Sequence, residues 1–477
     1  MRRVCLGAAL AAWLVPSVAE AQAITGPLVG TSASGPVTVD PSAVYWNPAL
    51  LTEMPRPTAL LSAGLIVGDV NYTRERRATY QREDSFAFKL PISSAQVDPG
   101  KTGKAPASTA HPVGGIGSLF GAMPLGHGLT AGLGVYVPYA ATVAYEPGGA
   151  QRWALESVTL ATLFVTPSIA YQISERLSIG AGVSYVLGFA ELSKVQDFAT
   201  VDDVGRALGR APINQSNDFG LRAPPAVREL GVMARPIAMS NMIANGVTFN
   251  VGFSAKPTDK LRIGVSYQHS TRLNFNGRFA LDMNADFFTS DLASQGLAYK
   301  PRVEGDATLA FTLPRTIRGG VRYDVSDRLA LTLTGEYAFW SQVKSFDVNI
   351  RSPDLAMPKL GLPDTASVSL PRRWKDTIGG DLMVTWQTSK VLRLWVLGGY
   401  RSAATPDATI DAASPDGDRL IGALGAGYTI SPRWTILADA RVQTIVPRTV
   451  VGSDFDLGNG TYKLTIGSLA GHVQLTL

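Results

Sequence analysis

Residues 105–145 read APASTAHPVGGIGSLFGAMPLGHGLTAGLGVYVPYAATVAY, 41 positions without one Asp, Glu, Lys or Arg. The stretch could hold two apolar membrane helices, but it carries eight glycines and four prolines. Glycine costs a helix interior about 1 kcal/mol and proline about 3 kcal/mol, so helices are excluded. An apolar segment that cannot be helical is a strand candidate, and its neighbours decide the matter.

They alternate with a period of two. In GVTFNVGFS (246–254), Val247, Phe249, Val251 and Phe253 interleave with Thr248, Asn250, Gly252 and Ser254. In LSIGAGVSYVLGF (177–189), Leu177, Ile179, Val183, Tyr185, Leu187 and Phe189 share a face opposite mainly glycine and serine. WTILADARVQT (434–444) sets Trp434, Ile436, Ala438, Ala440 and Val442 against Asp439, Arg441 and Gln443. LRIGVSYQ and LALTLTGEY follow the same rule, with Arg262 and Glu336 on their polar sides.

Short turns recur between these segments: SERL at 174, TDKL at 258, SDRL at 326, TSKVL at 388, SPRW at 431 and a charge-free GHGL at 126. Each puts turn-forming residues just ahead of an apolar strand start. The other connections are long: 74–113, 146–153, 195–245, 276–306, 344–372, 402–418 and 448–461. Six short turns and seven long loops join fourteen strands, with both chain ends on the short-turn side. One-sided loop lengths and strands apolar on one face predict an all-β fold, a 14-stranded antiparallel transmembrane β-barrel. In lipid every backbone polar group must be paired within the protein, and a closed sheet has no edges to leave unpaired. A secreted soluble sandwich or propeller shares the period but not the asymmetry of the loops.

The ends agree with export. Arg2 and Arg3 precede the apolar run CLGAALAAWLVPSV, and Ala19–Glu20–Ala21 or Ala21–Gln22–Ala23 offers a cleavage site. We assign 1–21 as a signal peptide. Cys5 leaves with it, so the mature chain has no disulfide framework. Its net charge falls from +5 to +4 as Arg2, Arg3 and Glu20 depart. Only 17% of residues are charged, against about a quarter in typical soluble domains, and no basic run suggests nucleic acid. The chain ends Val473, Leu475, Leu477, alternating to its terminus as barrel-assembly signals do, with Leu in place of the commoner Phe.

Residues 22–56 do not alternate and hold prolines at 27, 36, 41, 48 and 55, which argues against a strand. Within DPSAVYWNPALLTEMPRP, Asn47 suits the cap of a short helical turn and Pro48 its first position. This compact segment is a candidate hatch, or plug, for the lumen, and 57–477 the barrel.

NPALLTEMPRPTALLSAGLIVGDVNY (47–72) resembles the hatch-to-first-strand junction of the FadL/TodX-type family. That family comprises outer-membrane transporters for long-chain fatty acids and other hydrophobic compounds such as aromatic hydrocarbons. EYAFWSQV (336–343), RRWKDTIGGDLMVTW (372–386) and SPDGDRL (414–420) fall where similar segments occur in it, so the resemblance covers the mature chain. It implies capture in an apolar groove among outer loops, passage to a site in the barrel, and release sideways beside a kink in strand three. It also implies that Asn47, Pro48 and Ala49 form the hatch element against that kink, with Asn47 coupling the two.

The sequence supplies its own reason for a kink. Strand three carries Pro138 in its interior, flanked by Val137, Tyr139 and Ala140. Proline has no N–H to give the ladder. The alternative is a simple bend near the outer end, and Pro167 in the next strand could make a second irregularity.

Candidate groove residues are Met233, Ile237, Met239 and Met242, with Val232 and Ile243, in the third long loop. Phe287 and Phe288 join Phe279, Leu281, Met283 and Leu292 in the fourth. Methionine-rich surface adapts to varied apolar ligands, although each loop could equally pack its own small core. A carboxylate would need a cation, and Arg372, Arg373, Lys375, Arg393, Arg401 and Arg441 are candidates, unless paired as Arg441 with Asp439 or Glu336. Fatty-acid members carry basic residues along upper strand five, where VLGFAELSK (186–194) is apolar until Lys194, so a neutral substrate stays open.

His111, His127, His269 and His472 show no evident Ser and carboxylate companions. No metal spacing or phosphate loop is present, and neither an enzyme nor a cofactor is expected. The expected partners are a hydrophobic small molecule, outer-membrane lipid and the barrel-assembly machinery, with the protein a monomer in the outer membrane. A general porin or a structural barrel is the alternative.

Overall fold

The computed structural model describes residues 29–76, 79–81, 89–91, 103–197, 234–286, 289–290, 300–356, 363–454 and 456–477. The signal reading (1–21) and the start of the candidate hatch therefore lie outside the described residues, as do Met233, Phe287 and Phe288.

Fourteen wall strands follow one another. They are β1 (Thr58–Arg76), β2 (Ser108–Ala110 and Val113–Gly126), β3 (Leu129–Ala144), β4 (Ser157–Ser174), β5 (Leu177–Asp197), β6 (Ala234–Thr258) and β7 (Leu261–Gln268 and Thr271–Asp282). The second half comprises β8 (Arg302–Leu313 and Thr316–Asp324), β9 (Leu329–Ala338 and Ser345–Arg351), β10 (Thr365–Pro371 and Thr377–Gln387), β11 (Leu392–Arg401), β12 (Arg419–Ser431), β13 (Trp434–Ile445 and Arg448–Val450) and β14 (Gly460–Thr476). Each pairs antiparallel with the next. β14 zips to β1 from Thr58↔Thr476 to Arg74↔Gly460, closing the cylinder.

The alternation read in the sequence is an inside-out one. On β6, Val247 is 65% exposed and Phe253 40%, while Thr248, Asn250 and Ser254 are buried. Such a bare apolar belt suits lipid and no soluble sheet. All six short turns lie where expected, and β1 begins and β14 ends on their side.

Three predicted loops are shorter than expected. β6 starts at Ala234, β7 runs on to Asp282, and β9 and β10 extend through 345–351 and 365–371. The reason is a reversal of polarity along the strand. Below the break at His269–Ser270, β7 points Val265 outward and Ser266 and Gln268 inward. Above it, Arg272, Asn274, Asn276 and Arg278 point outward and Leu273, Phe275, Phe279 and Leu281 inward. The wall has left the lipid and become an ordinary amphipathic sheet.

Residues 29–56 contain a short helix, α1 (Ala43–Trp46), and a 3-10 turn (Pro48–Glu53). As expected, Asn47 caps the turn through Oδ1, which accepts from the Ala49 amide at 3.2 Å, and Pro48 is its first residue. The segment is bonded to inward-facing groups around the cylinder. Asn250 of β6 donates to the Val44 carbonyl at 2.8 Å and Thr52 bonds Ser178 of β5 at 2.8 Å. Trp395 of β11 donates to Ser32 Oγ at 2.8 Å, and the Ser32 amide donates to Asp439 of β13 at 2.9 Å. Glu53 receives both Arg262 and Lys256 at 2.6 Å.

Candidate functional site: the lumen and the strand three gap

The inner wall accommodates residues 29–54 by omitting side chains. A Cβ at Gly180 would stand 2.5 Å from the Pro48 carbonyl carbon, at Gly252 2.0 Å from Asn47 Oδ1, and at Gly264 2.1 Å from the Pro36 carbonyl oxygen. At Gly132 it would meet Leu51 and Val44, both at 2.8 Å. Gly180 and Gly264 admit backbone, and Gly252 and Gly132 admit side chains, at distances no Cβ would allow.

The ladder between β2 and β3 pairs Gly126↔Leu129 through Leu119↔Val135 and then stops. Residues 113–118 of β2 remain paired with β1 only, and 136–144 of β3 with β4 only. The next bond across the divide is Glu146 N to Thr109 O at 3.4 Å. On the β4 side, Tyr136↔Phe164 is followed by Tyr139↔Thr162, so Val137 and Pro138 stand opposite Leu163 alone. This is a bulge with Pro138 inside it. The bulge resets the side-chain parity, and Tyr136 and Tyr139 both turn into the lumen. Residues 136–141 are buried without alternation. Pro167 makes no second irregularity, because β4 resumes with β5 in the same register, Val165↔Tyr185 and Ser168↔Gly182.

Asn47 does not lie against this kink. Its Nδ2 donates to the Pro36 carbonyl at 2.9 Å and to the Phe253 carbonyl of β6 at 3.0 Å. Pro48 and Ala49 sit beside Gly180 of β5. The Asn47 amide is thus engaged by its own segment and by β6, and the expected contact with the kink is corrected. Val44 and Leu51 abut β3 at Gly132, and beside the bulge itself the contact is Tyr45, its ring 5.3 Å from that of Tyr136. Tyr136 in turn packs at 5.2 Å on Phe120 and 5.7 Å on Phe164, and Tyr139 at 6.1 Å on Phe164. The Tyr45 hydroxyl accepts from Arg318 at 2.8 Å. Burial raises its pKa, with Arg318 pulling the other way and Glu336 pushing up, so the phenol stays neutral.

The upper lumen is apolar. Met239, Met242, Phe279, Leu281, Met283, Trp340 and Trp374 belong to one buried cluster that also contains Val44, Leu51, Tyr136 and Tyr139. Ile237, Met239 and Met242 are thus strand residues of β6, not loop residues, and Ile237 packs against the cluster while Ile243 is 47% exposed on the outside. Of the predicted cations only Arg401, paired with Asp381 at 2.7 Å, and Arg441 line the same lumen cavity. Arg372 is buried on Asp411 at 2.8 Å with its guanidinium over Phe346, and Arg373 pairs with Asp454. Lys375 is exposed, and Arg393 lies 5.8 Å from the Trp395 ring centre on the short-turn end of β11. Arg441 forms neither expected pair: Glu336 is bonded to Arg318 at 2.8 Å, and Asp439 to His472 and the Ser32 amide.

His472 does have companions, contrary to the reading of the chain. Its Nδ1 lies 2.8 Å from Ser62 Oγ and its Nε2 3.0 Å from Asp439 Oδ2. Adjacent strands β14, β1 and β13 bring together residues more than thirty positions apart, which no local motif announces. The His472 and Asp439 side chains are wholly buried, and Asp439 also holds the Ser32 amide. The trio ties residues 29–54 to the wall.

The profile of a family described as "Outer membrane protein transport protein (OMPP1/FadL/TodX)" matches residues 8–469. The chain is 22% identical over 402 residues to outer membrane protein P1 of Haemophilus influenzae, covering 83% of this chain and 78% of that one. It is 24% identical to the long-chain fatty acid transport protein of Escherichia coli K12, covering 80% and 82%. Among solved structures, a Pseudomonas aeruginosa FadL homologue superposes with a TM-score of 0.70 at 20% identity, over 97% of this chain and 99% of that one. The Pseudomonas putida toluene transporter TodX gives 0.63 at 16% identity, over 98% and 100%.

Proposed function

The chain belongs to the outer membrane transport protein family of OMPP1, FadL and TodX, and from that premise we propose that it takes hydrophobic small molecules passively across the outer membrane and releases them sideways through its wall. The observation that carries this reading is the end of the β2–β3 ladder at Val135, where a bulge holding Pro138 parts two strands at lumen depth. An apolar solute leaving there enters lipid directly and never crosses water, so no step on the route requires energy input.

The route begins in the apolar cluster of Met239, Phe279, Met283 and Trp374, which reaches down without interruption to Tyr136 and Tyr139 at the gap. Residues 29–56 act as the hatch. They fill the bore below, favouring a sideways exit over an axial one, and Tyr45 transmits their position to the kinked strand through Tyr136. Asn47, Pro48 and Ala49 hold the hatch to β5 and β6. A general porin would need an open bore, which this segment occupies.

Uptake of labelled toluene and labelled oleate is to be compared in cells with and without the chain. Faster uptake of at least one supports the reading, and equal rates for both contradict it. Single-channel recording separates the porin alternative, because a plugged barrel carries little steady ion current.

A further inference from the structure

Four neighbouring wall strands break at one height. β7 is interrupted at His269–Ser270, β8 at Pro314–Arg315, β9 over 339–344 and β10 over 372–376. The ladders meet these breaks in register, Gln268↔Thr316 and Thr316↔Ala338 below, Thr271↔Leu313 and Ser345↔Pro371 above. Val265, Ile317, Leu333 and Ile378 face outward bare beneath this line, and Arg272 and Asn274 face outward over it. It is therefore the outer edge of the lipid belt, where headgroups lie, and Tyr267 and Tyr337 stand just beneath it as interfacial aromatics do. Between β7 and β8 this edge is basic. The register sets Arg315 opposite the His269–Ser270 step and Arg272 opposite Thr312, and His269, Arg272 and Arg315 are all exposed.

Higher on the same two strands the charges are matched, Arg278 with Asp306 at 2.6 Å and Arg302 with Glu304. Arg272 and Arg315 form no ion pair among the described residues. Arg272 Nε reaches only Asn274 Oδ1, at 3.4 Å, and the Arg315 guanidinium lies over the Phe339 ring at 4.3 Å. Asp376, the carboxylate at the β10 break, is taken by the Tyr337 hydroxyl at 3.0 Å and the Ser341 amide at 2.9 Å. The His269 ring is held in place, stacked on Phe249 at 4.7 Å with Nδ1 2.8 Å from the Tyr267 hydroxyl. When that hydroxyl donates to Nδ1, Nε2 carries the ring's proton as a donor. Guanidinium groups take phosphate oxygens in pairs, and basic clusters at a membrane surface select anionic headgroups. We propose that this patch docks a phosphate of an outer-leaflet glycolipid on Arg272, Arg315 and His269, with the acyl chains laid over Val247, Val265 and Ile317. The bare apolar wall runs straight down from the cations, so it fits an occupant that carries chains as well as phosphate. The site is on the outside of the cylinder and is independent of the uptake reading.

The test is native mass spectrometry of the purified full-length protein in neutral detergent, titrated with diphosphorylated lipid A and with the same acylated disaccharide stripped of its phosphates. The phosphorylated form should be retained about tenfold more tightly, as charge-assisted bonds imply. Arg272→Gln combined with Arg315→Gln should remove that preference. Lys260→Gln combined with Arg328→Gln, an equal loss of exposed charge at the short-turn end, should keep it. The comparison on the parent protein stands even if a variant does not fold. Equal retention of the two lipids, a preference that survives Arg272→Gln with Arg315→Gln, one lost alike in both double variants, or one abolished by millimolar inorganic phosphate (a site for the free anion) overturns the proposal.

Discussion

Asn47 uses its whole side-chain amide, with two carbonyls on Nδ2 and the Ala49 amide on Oδ1, at zero exposure. Its capping role was readable because Asn ahead of Pro is local chemistry. Its partner on β6, 206 positions away, was not, because no local signal says which wall strand lies beside it. Asn47→Ala would remove all three of these hydrogen bonds. We expect a loss on the order of 3 kcal/mol, read as a lower midpoint for heat-dependent unfolding in detergent, and an unchanged midpoint would refute the assignment. Gly180 makes the complementary case. A valine there would drive its branched carbon into Pro48 and displace the hatch, so Gly180→Val should raise steady ion conductance well above that of the parent chain. A parent-like current would mean the close approach is not needed.

Two prolines in neighbouring strands behave differently, and their registers say why. Pro138 sits in a bulge where two residues face one, whereas the ladders run past Pro167 in step on both sides. Pro167→Val should therefore leave uptake within experimental error of the parent, and a marked slowing would show that the second proline matters to the wall. The sequence marked Pro138 as disruptive but could not rank it above Pro167, because the rank depends on register with β2 and β5. The upper ends of these strands are hidden for a related reason. The alternation of β6 to β10 continues above the membrane with inside and outside exchanged, so an apolar-out pattern ends too early, at Asn245 and Asn276. The outward Arg272 and Arg278 were the available signal. Met239 and Met242 form the inward face of that upper sheet.

At the scale of the molecule the barrel was legible from bulk pattern alone: short turns on one side, long loops on the other, and an apolar face that closure leaves bare to lipid. What was not legible is how the bore is filled, because inward polar residues such as Asp439, Arg441 and His472 meet only when non-neighbouring parts of the chain converge. Deleting residues 29–54 should turn the barrel into an open pore with large steady current, and a current no larger than the parent's would remove the hatch role. The central claim, that solute leaves sideways where β3 parts from β2, has a sharper test. Deleting Pro138 removes the extra residue of the bulge, sets Val137 alone opposite Leu163, and lets β3 continue its ladder with β2 past Val135. With the barrel folded and the loops intact, cells carrying that deletion should take up the transported compound at the rate of cells lacking the protein. Uptake at the parent rate through a wall shown to be closed would contradict the account.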